Sequence, residues 1–365
     1  MKKKVFVLLM VFVLVVSGCT SGNESSTTQN PENQGASNEQ STEDQNQVEE
    51  NTAEETNETN ATNATYTIVT IPKLVGIGWF DRMEEGVNWF AQDTGHDVYQ
   101  TGPTEADPAL QVQFIEDAIA QGVDAICVVP FSVEAVEPVL KKAREQGIVV
   151  VTHEASSIEN ADYDVEAFVN TEYGAEFMKR LAEGMGEEGE YTTFVGSLTS
   201  KTHNEWVDGS TALQEEAYPN MMVVSNKNES NDDILVAYNK TKELLNAYPN
   251  LKGIQGSAGT DVAGAAQAVE DLGLSGKLTL VGTSVPSASA KYIDNDTISS
   301  IGFWDPAEAG YVMNQVAVAV LEGRTIEDGH DFERPGYTDI SLDGNVIYGS
   351  AWVFADKSNV HDFTY

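Results

Sequence analysis

Basic residues and cysteines are scarce in this chain of 365 residues, and both shortages exclude whole classes of function. Only 20 lysines and arginines stand against 58 aspartates and glutamates, which gives a formal charge of −38 at pH 7. A protein with this balance cannot neutralise a phosphate backbone, so nucleic-acid binding is excluded. Two cysteines build neither a disulfide framework nor a thiolate zinc site, and the five histidines show no metal-ligand spacing. We therefore expect no metal and no cofactor.

The N-terminus carries a short hydrophobic run, Val5–Val16, that follows three lysines. A helix of this length spans about 18 Å, short of the roughly 30 Å hydrocarbon core, so residues 1–18 are predicted to be a signal peptide. The run ends in Val16-Ser17-Gly18-Cys19, which is similar to a bacterial lipobox. This motif predicts acylation of Cys19 and a lipid anchor on the outer face of the cell membrane. An ordinary secretory signal is the alternative.

Residues 19–64 form a polar segment with ten acidic residues and without lysine, arginine or an aromatic residue. Such a segment buries too little apolar area to offset its chain entropy, so we predict a disordered, lipid-anchored acidic tether. A flexible chain of this length spans roughly 35–40 Å. Because ten of the acids and three of the bases precede residue 65, the remaining chain carries a charge of −31. Such a charge disfavours an anionic ligand.

From residue 65 onward, short apolar segments alternate with amphipathic ones. Ala125–Val129 and Ile148–Thr152 are continuous apolar runs, whereas Asp107–Gln121 has apolar residues at helical spacing. This alternation is typical of a buried parallel sheet whose strands are connected by helices. About ten such units suit an α/β fold with two doubly wound lobes better than one sheet or one barrel. The predicted boundaries are about 66–168 and 304–335 for lobe 1, and about 169–303 and 340–365 for lobe 2.

Ligands of doubly wound sheets bind beyond the carboxyl ends of the strands, so polar and aromatic residues there are candidate contacts. Lys73 follows the first strand and is a candidate donor to ligand oxygens. Glu154 follows another strand without an immediate helix, and its carboxylate suits adjacent hydroxyls. Trp304 offers a flat apolar face that suits a sugar ring. The full candidate set is Lys73, Trp79, Phe80, Glu154, His203, Asn204, Ser257, Gly259, Asp261, Ser284, Trp304 and Asp305.

Several of these candidates have structural alternatives that the sequence leaves open. Trp79 and Phe80 begin a predicted helix, where aromatic residues commonly face the core. Asn204 and Asp261 equally suit helix caps or first turns. Asp305 precedes Pro306, and this pair is a good helix start in its own right.

Five segments carry a resemblance to a known family: Ile71-Pro72-Lys73-Leu74-Val75-Gly76, Gly102-Pro103-Thr104-Glu105, Asn204-Glu205-Trp206, Ala265-Ala266-Gln267-Ala268 and Phe303-Trp304-Asp305. Together with the lipobox and the two lobes, they resemble lipoprotein substrate-binding proteins of ABC importers, in the type I sugar class and its autoinducer-2/rhamnose-binding branch. The resemblance covers nearly all of residues 66–365. It implies a type I periplasmic-binding-protein fold with a multi-strand hinge, an ABC permease as partner and a monomeric state.

The resemblance also assigns residues. Lys73 matches the lysine that contacts autoinducer-2, and Glu154 occupies the position of a ligand-binding aspartate. Two segments depart from the family: Thr202-His203 replaces an Asp-Gln pair, and Ser257-Ala258-Gly259 replaces a Pro-x-Ala loop. A pentose, a deoxyhexose or another small polyol is therefore at least as well supported as autoinducer-2.

The favoured function is capture of a small polyhydroxylated ligand outside the cell and its delivery to an importer. A sensor subunit that presents the ligand to a membrane receptor would use the same cleft, and it remains the alternative. An enzyme is disfavoured because the chain has neither a Gly-x-Ser-x-Gly elbow nor a His-Glu-x-x-His motif. A carboxylate pair such as Glu154 and Asp305 would imitate a glycosidase, and this reading is also disfavoured.

Overall fold

Two separate β-sheets organise the chain in the computed structural model, which describes residues 64–365. The predicted signal peptide, Cys19 and the tether up to residue 63 lie outside the described residues. The strands are β1 Thr67–Ile71, β2 Asp97–Gln100, β3 Ala125–Val128, β4 Val149–His153, β5 Tyr163–Glu166, β6 Gly189–Val195, β7 Met221–Glu229, β8 Leu251–Gly256, β9 Thr279–Thr283, β10 Ser300–Phe303, β11 Ser341–Asp343, β12 Val346–Tyr348 and β13 Val353–Ala355.

Helices connect most of these strands. They are α1 Gly78–Thr94, α2 Pro108–Gln121, α3 Val133–Glu145, α4 Asn170–Met185, α5 Lys201–Ala217, α6 Ile234–Ala247, α7 Asp261–Asp271, α8 Pro286–Asp294 and α9 Pro306–Leu321. Between residues 64 and 365, none of them is both long and apolar enough to cross a membrane.

Helix α2 illustrates how the sequence sets the helix ends. Asp107 accepts hydrogen bonds from the amides of Ala109 and Leu110, and Pro108 occupies the first turn, where its missing N–H costs nothing. Gly122 ends the helix in the left-handed conformation, at φ 71°.

The first lobe contains the seven-stranded sheet, in the order β11-β12-β5-β4-β3-β1-β2. Its neighbours pair in parallel except for β11 and β12. Successive residues of β1 face opposite cores: Ile68 belongs to the buried cluster that includes Met83 of α1, while Val69 belongs to the one that includes Ile115 of α2. Both faces of the sheet are thus covered, which explains the continuous apolar runs in the sequence.

The second lobe contains the six-stranded sheet, in the order β13-β10-β9-β8-β6-β7. Only β13 is antiparallel to its neighbour among the described strands of this sheet. The two doubly wound lobes confirm the predicted fold class.

The chain crosses between the lobes three times, after β5, after β10 and after β12. Helix α9 packs on α1 and on the strands of the first lobe. The sequence predicts residues 340–365 in lobe 2, but the structure divides this tail between the two lobes. Val346–Tyr348 instead pairs in parallel with β5 and extends the sheet of the first lobe, and only β13 returns to the second. These strands have three residues each, too few for a clear period in the sequence.

Two helix pairs approach so closely that a glycine is required at each contact. A Cβ added to Gly86 of α1 would lie 1.9 Å from the carbonyl oxygen of Ala307, and one added to Gly174 of α4 would lie 1.9 Å from that of Trp206. We expect Gly86→Ala to lower the free energy of unfolding by about 2–3 kcal/mol, because backbone atoms must separate. Urea unfolding monitored by circular dichroism measures this loss.

Gly273→Ala provides the control, because no atom lies within 4 Å of an added Cβ there and only the left-handed φ of 66° is penalised. That variant is expected to lose about 1 kcal/mol. Equal losses for the two variants would contradict the role assigned to the helix contact.

Candidate ligand-binding site between the lobes

A cavity lies where the carboxyl ends of the strands of the two lobes face each other. Its walls combine charged, hydroxyl and aromatic side chains from the loops that follow β1, β4, β7, β8 and β10, from the beginnings of α1 and α5 and from the end of β9. The lining residues are Lys73, Ile77, Trp79, Phe80, Glu154, His203, Trp206, Asp232, Ser257, Gly259, Thr283 and Trp304. In this closed arrangement the enclosed volume is about 20 Å³, enough for one water-sized sphere. A monosaccharide therefore enters only when the lobes separate.

A buried ion pair occupies the floor of the cavity. Lys73 Nζ donates to Glu154 Oε2 over 2.5 Å, and the two side chains are 4% and 5% exposed. Burial alone would raise the pKa of Glu154, but the charge and hydrogen bond of Lys73 outweigh it and bring this pKa to about 2. Burial likewise opposes the charge of Lys73, yet Glu154 raises the pKa of Lys73 above its ordinary value. Both groups are therefore charged at neutral pH.

The ion pair of the first lobe is in contact with the second lobe. Lys73 Nζ of the first lobe lies 3.3 Å from His203 Nε2 at the start of α5 in the second lobe. Nearby, Ser200 Oγ donates to the carbonyl oxygen of Phe131, and Ser156 Oγ donates to Glu205 Oε2. These contacts join residues of opposite lobes, so hinge opening must break them.

Aromatic rings form the apolar side of the cavity. Trp79 and Trp304 meet edge to face with ring centroids 4.6 Å apart. Trp304 Nε1 is buried and has no hydrogen-bond partner within residues 64–365. Gly259 of the second lobe approaches Trp79 of the first, since an added Cβ would lie 3.4 Å from the indole. The cavity thus offers flat rings beside polar groups.

Two carboxylates of the cavity are held in left-handed backbone conformations. Glu154 has φ 60° and Asp232 has φ 52°, which are costly conformations for residues other than glycine. Backbone strain of this kind is concentrated at binding and active sites, where the surrounding structure holds a functional side chain in place. The charge of Lys73 lowers the pKa of both carboxyl groups, but at Asp232 burial outweighs it and raises the pKa to about 6.

Eight of the twelve predicted contacts line the cavity, and four do not. The side chain of Asn204 donates to the carbonyl oxygens of Ser197 and Ser200 and so closes its own loop. Asp261 accepts hydrogen bonds from the amides of Ser257 and Ala258 behind the cavity wall.

The other two predicted contacts are also engaged elsewhere. Ser284 accepts a hydrogen bond from Ser289. Asp305 caps α9 through the amide of Ala307 and holds Arg82 with two hydrogen bonds of 2.9 and 2.7 Å. The capping alternative noted for Asp305 therefore describes its contacts.

The sequence missed four lining residues: Ile77, Trp206, Asp232 and Thr283. Two of them lie where a strand ends in polar residues. Strand β7 continues through polar residues to Glu229, and Asp232 follows it, whereas Thr283 is the last residue of β9. Thr283 lines the cavity, and its neighbour Ser284, the predicted contact, does not.

The acidic groups of the site form no metal centre. No cluster of three or more histidine, cysteine, aspartate or glutamate side chains in the described part of the chain has the geometry to hold a metal ion. What the arrangement does offer is a set of hydrogen-bond donors and acceptors beside aromatic rings, closed by two lobes. These features define a ligand-binding protein with a hinge.

Comparison with known proteins agrees with this class. The sequence matches the family described as a periplasmic binding protein domain over residues 68–325. The D-allose-binding periplasmic protein of Escherichia coli is 28% identical over 242 residues, which cover 64% of this chain and 76% of that protein.

Solved structures show the same fold. A solute-binding protein of an ABC transporter from Clostridium phytofermentas, with bound L-rhamnose, has a TM-score of 0.77 at 24% identity and covers 82% of this chain and 98% of its own. LsrB from Clostridium saccharobutylicum, in complex with AI-2, has a TM-score of 0.76 at 22% identity and covers 82% and 100%.

The chain belongs to the periplasmic binding protein family, since the match covers more than half of its residues. This confirms the family expected from the sequence. The family and its curated relatives are extracytoplasmic binding proteins and not enzymes.

Proposed function

We propose that this protein captures a small neutral sugar or polyol in the cleft between its lobes and delivers it to an ABC importer. The observation that carries this proposal is the buried Lys73–Glu154 pair beside Trp79 and Trp304. Hydroxyl groups accept from the ammonium and donate to the carboxylate, while the ring face of a sugar packs on indole.

The charge of the cavity supports a neutral ligand. Lys73 is already paired with Glu154, and Asp232 adds a second carboxyl group without adding a cation. An anionic ligand would therefore meet no unpaired positive charge among the lining residues that the structure describes.

The names of similar proteins support the same ligand class. One relative is described as D-allose-binding and another as D-ribose/D-allose-binding, and two similar structures contain L-rhamnose and AI-2. The departures at His203 and Ser257 leave the particular sugar open between pentoses, deoxyhexoses and autoinducer-2-like molecules.

We further propose that acylated Cys19 anchors the mature protein to the outer face of the membrane. The lipobox-like Val16-Ser17-Gly18-Cys19 supports the anchor, and the polar segment that follows supplies a tether long enough to reach a permease. In this arrangement a monomer delivers its ligand to the importer. Mass spectrometry of the mature N-terminus tests the acylation.

A thermal-shift screen with L-rhamnose, D-ribose, D-allose and D-xylose tests the ligand class. A sugar at about 100 times its dissociation constant stabilises the folded protein by about 2.7 kcal/mol, which corresponds to a rise of about 4 °C in the unfolding midpoint of a folded chain of this length. Calorimetric titration of each hit then measures its affinity.

D-Ribose 5-phosphate is the matched anionic control and is expected to leave the midpoint unchanged. A rise with the phosphate but with none of the neutral sugars would overturn the proposal. Turnover of a bound sugar would contradict a function limited to binding.

A further inference from the structure

Three carboxyl groups lie together where the chain first crosses between the lobes, and none of them lines the ligand cavity. Asp164 and Glu166 are two residues apart on β5, so their side chains share one face of the first sheet, and they are 0% and 1% exposed. Glu205 approaches them from α5 of the second lobe. Buried like charges destabilise a fold unless a cation or a proton compensates them.

Residues of both lobes enclose Glu166. The backbone nitrogen of Ser156 in the first lobe donates to Glu166 Oε1 over 3.2 Å, and the hydroxyl of Ser156 donates to Glu205 Oε2 over 3.3 Å. From the second lobe, Thr202 Oγ1 lies 3.5 Å from Glu166 Oε1. The second lobe therefore covers Glu166, and brings the charge of Glu205 close to it, only while the lobes are closed.

The groups around this cluster supply no compensating cation. Within residues 64–365, no lysine, arginine or histidine forms an ion pair with Asp164 or Glu166, because Lys73 pairs with Glu154 and Lys201 pairs with Glu205. The titratable groups that face Glu166 are the carboxyls of Asp164, Glu154 and Glu205 and the phenols of Tyr337 and Tyr348. A proton is the remaining means of compensation.

Burial and hydrogen-bond geometry both favour a proton on the Asp164–Glu166 pair. Burial raises the pKa of Glu166, and the charges of Asp164, Glu154 and Glu205 raise it further; burial also raises the pKa of Asp164. Asp164 Oδ2 is buried without a hydrogen-bond partner in the described part of the chain, and Glu166 is within hydrogen-bond reach of Asp164. Two carboxylates can only accept, so one shared proton supplies the donor that their contact needs.

We propose that closure of the lobes takes up a proton from solvent at the Asp164–Glu166 pair. When the lobes open, water reaches Glu166 and Glu205 moves away, so the pair ionises and its proton returns to the solvent. A fall in pH therefore favours the closed form. The inference rests on the proposed function, because ligand capture requires closure and thereby acquires the same pH dependence.

Acrylamide quenching of tryptophan fluorescence tests the coupling without any sugar. Trp79, Trp206 and Trp304 line the cavity and are at most 6% exposed, so lobe opening gives the quencher access to them. We expect the quenching constant of the full chain to increase from pH 6 to pH 8. A quenching constant that does not change with pH would overturn the proposal.

Glu166→Gln assigns the effect to this pair. The glutamine oxygen still accepts from the amide of Ser156, and its NH2 group donates to Asp164 as the shared proton does. The variant should therefore stay closed at pH 8 and lose most of the pH dependence of quenching, although Asp232 and Asp261 still titrate in it. An equal dependence in Glu166→Gln and the unchanged protein would contradict the assignment.

Asp164→Asn is the second variant. Its oxygen still accepts from Thr152 and from the amide of Ala155, and its NH2 group donates to Glu166. We expect the same loss of pH dependence. Glu172→Gln on the exposed surface of α4 is the matched control and should keep the full dependence.

Calorimetric titration with L-rhamnose and D-ribose measures the consequence for binding. An uptake of half to one proton on closure weakens binding about 5–30-fold between pH 6 and pH 7.5. Titrations at pH 7 in two buffers with different ionisation enthalpies count the protons directly. In Glu166→Gln the affinity should change by less than about threefold over the same pH range, because the linked proton is absent.

The outcomes separate this inference from the proposed function. If a sugar binds with an affinity that does not depend on pH and without proton uptake, the coupling is wrong while sugar capture stands. If no sugar of the screen binds but tryptophan quenching follows pH in the unchanged protein and not in Glu166→Gln, the coupling stands while the proposed function fails.

Discussion

Lys73→Met is expected to abolish most ligand binding and to destabilise the fold at the same time. It removes a charged donor from the cavity, which should weaken sugar binding about 100-fold. It also leaves the carboxylate of Glu154 buried without its counter-charge, because both side chains are at most 5% exposed. Breaking a buried pair in this way costs about 3–5 kcal/mol of unfolding free energy.

The double substitution Lys73→Met with Glu154→Gln separates these two effects. Because the second change removes the stranded charge, most of the stability should return, whereas the affinity should not. Calorimetric titration and urea unfolding of the same samples measure both quantities. Recovery of binding in the double variant would show that Lys73 acts on the fold and not on the ligand.

Lys357→Met is the matched control for a lysine in an ion pair. Lys357 pairs with Asp296 over 2.8 Å, but both side chains are more than half exposed. Exposed pairs contribute little, so the change should stay within about 1 kcal/mol and leave the affinity unaltered.

The free energy of unfolding should decrease as the pH rises from 5 to 8. Burial raises the pKa of Asp232 to about 6 and that of Asp261 to about 7, and it raises the pKa values of Asp164 and Glu166 as well. The folded protein therefore holds protons that the unfolded chain has already released, so a rise in pH favours the unfolded state. Each pH unit between a folded and an unfolded pKa contributes about 1.4 kcal/mol, which makes a total of several kcal/mol.

Glu154 has the opposite effect at lower pH. Its pKa is about 2 in the folded protein, below the ordinary value of 4.5, so its stabilising contribution disappears as the pH falls through this range. Together the two effects predict a stability maximum near pH 4–5. Urea unfolding across pH 3–9 locates it.

Asp261→Asn tests the origin of the slope. The asparagine oxygen still accepts from the amides of Ser257 and Ala258 but does not ionise, so stability at pH 8 should increase and the slope should decrease. Asp233→Asn is the control, because the exposed Asp233 caps α6 through two amides in the same manner. An unchanged slope in Asp261→Asn would assign the pH dependence to other groups.

The sequence predicts those parts of the fold in which hydrophobic burial decides the local structure. The apolar runs at β3 and β4 and the amphipathic pattern of α2 have the predicted types, because strands buried on both faces and half-buried helices differ in period. Strand β5 gives no such signal. Its Asp164 and Glu166 are buried and bond to Thr152 and to the amide of Ser156, contacts that only the folded chain brings together.

The candidate site was predictable where strand ends were recognisable. Lys73, Glu154 and Trp304 lie within two residues of the end of an apolar strand, whereas Asp232 follows a strand that continues through polar residues to Glu229. The contacts of His203 with the amide of Gly196 and of His153 with the carbonyl oxygen of Val165 had no signal in the sequence, because only the folded chain brings these backbone groups to the rings.

The three crossings between the lobes also set an order in which the chain can fold during synthesis. Among the described residues, 170–303 supply every α-helix and all but one strand of the second lobe in one continuous segment. The first lobe is complete only after α9, which packs on α1, and β12, which pairs with β5, have been synthesised. Helix α1 and strand β5 emerge more than 180 residues before these partners. Such distant contacts form slowly, and early exposure of an unfinished sheet edge favours aggregation. Nascent chains that end before residue 306 should therefore depend most on chaperones that delay folding until the chain has been exported.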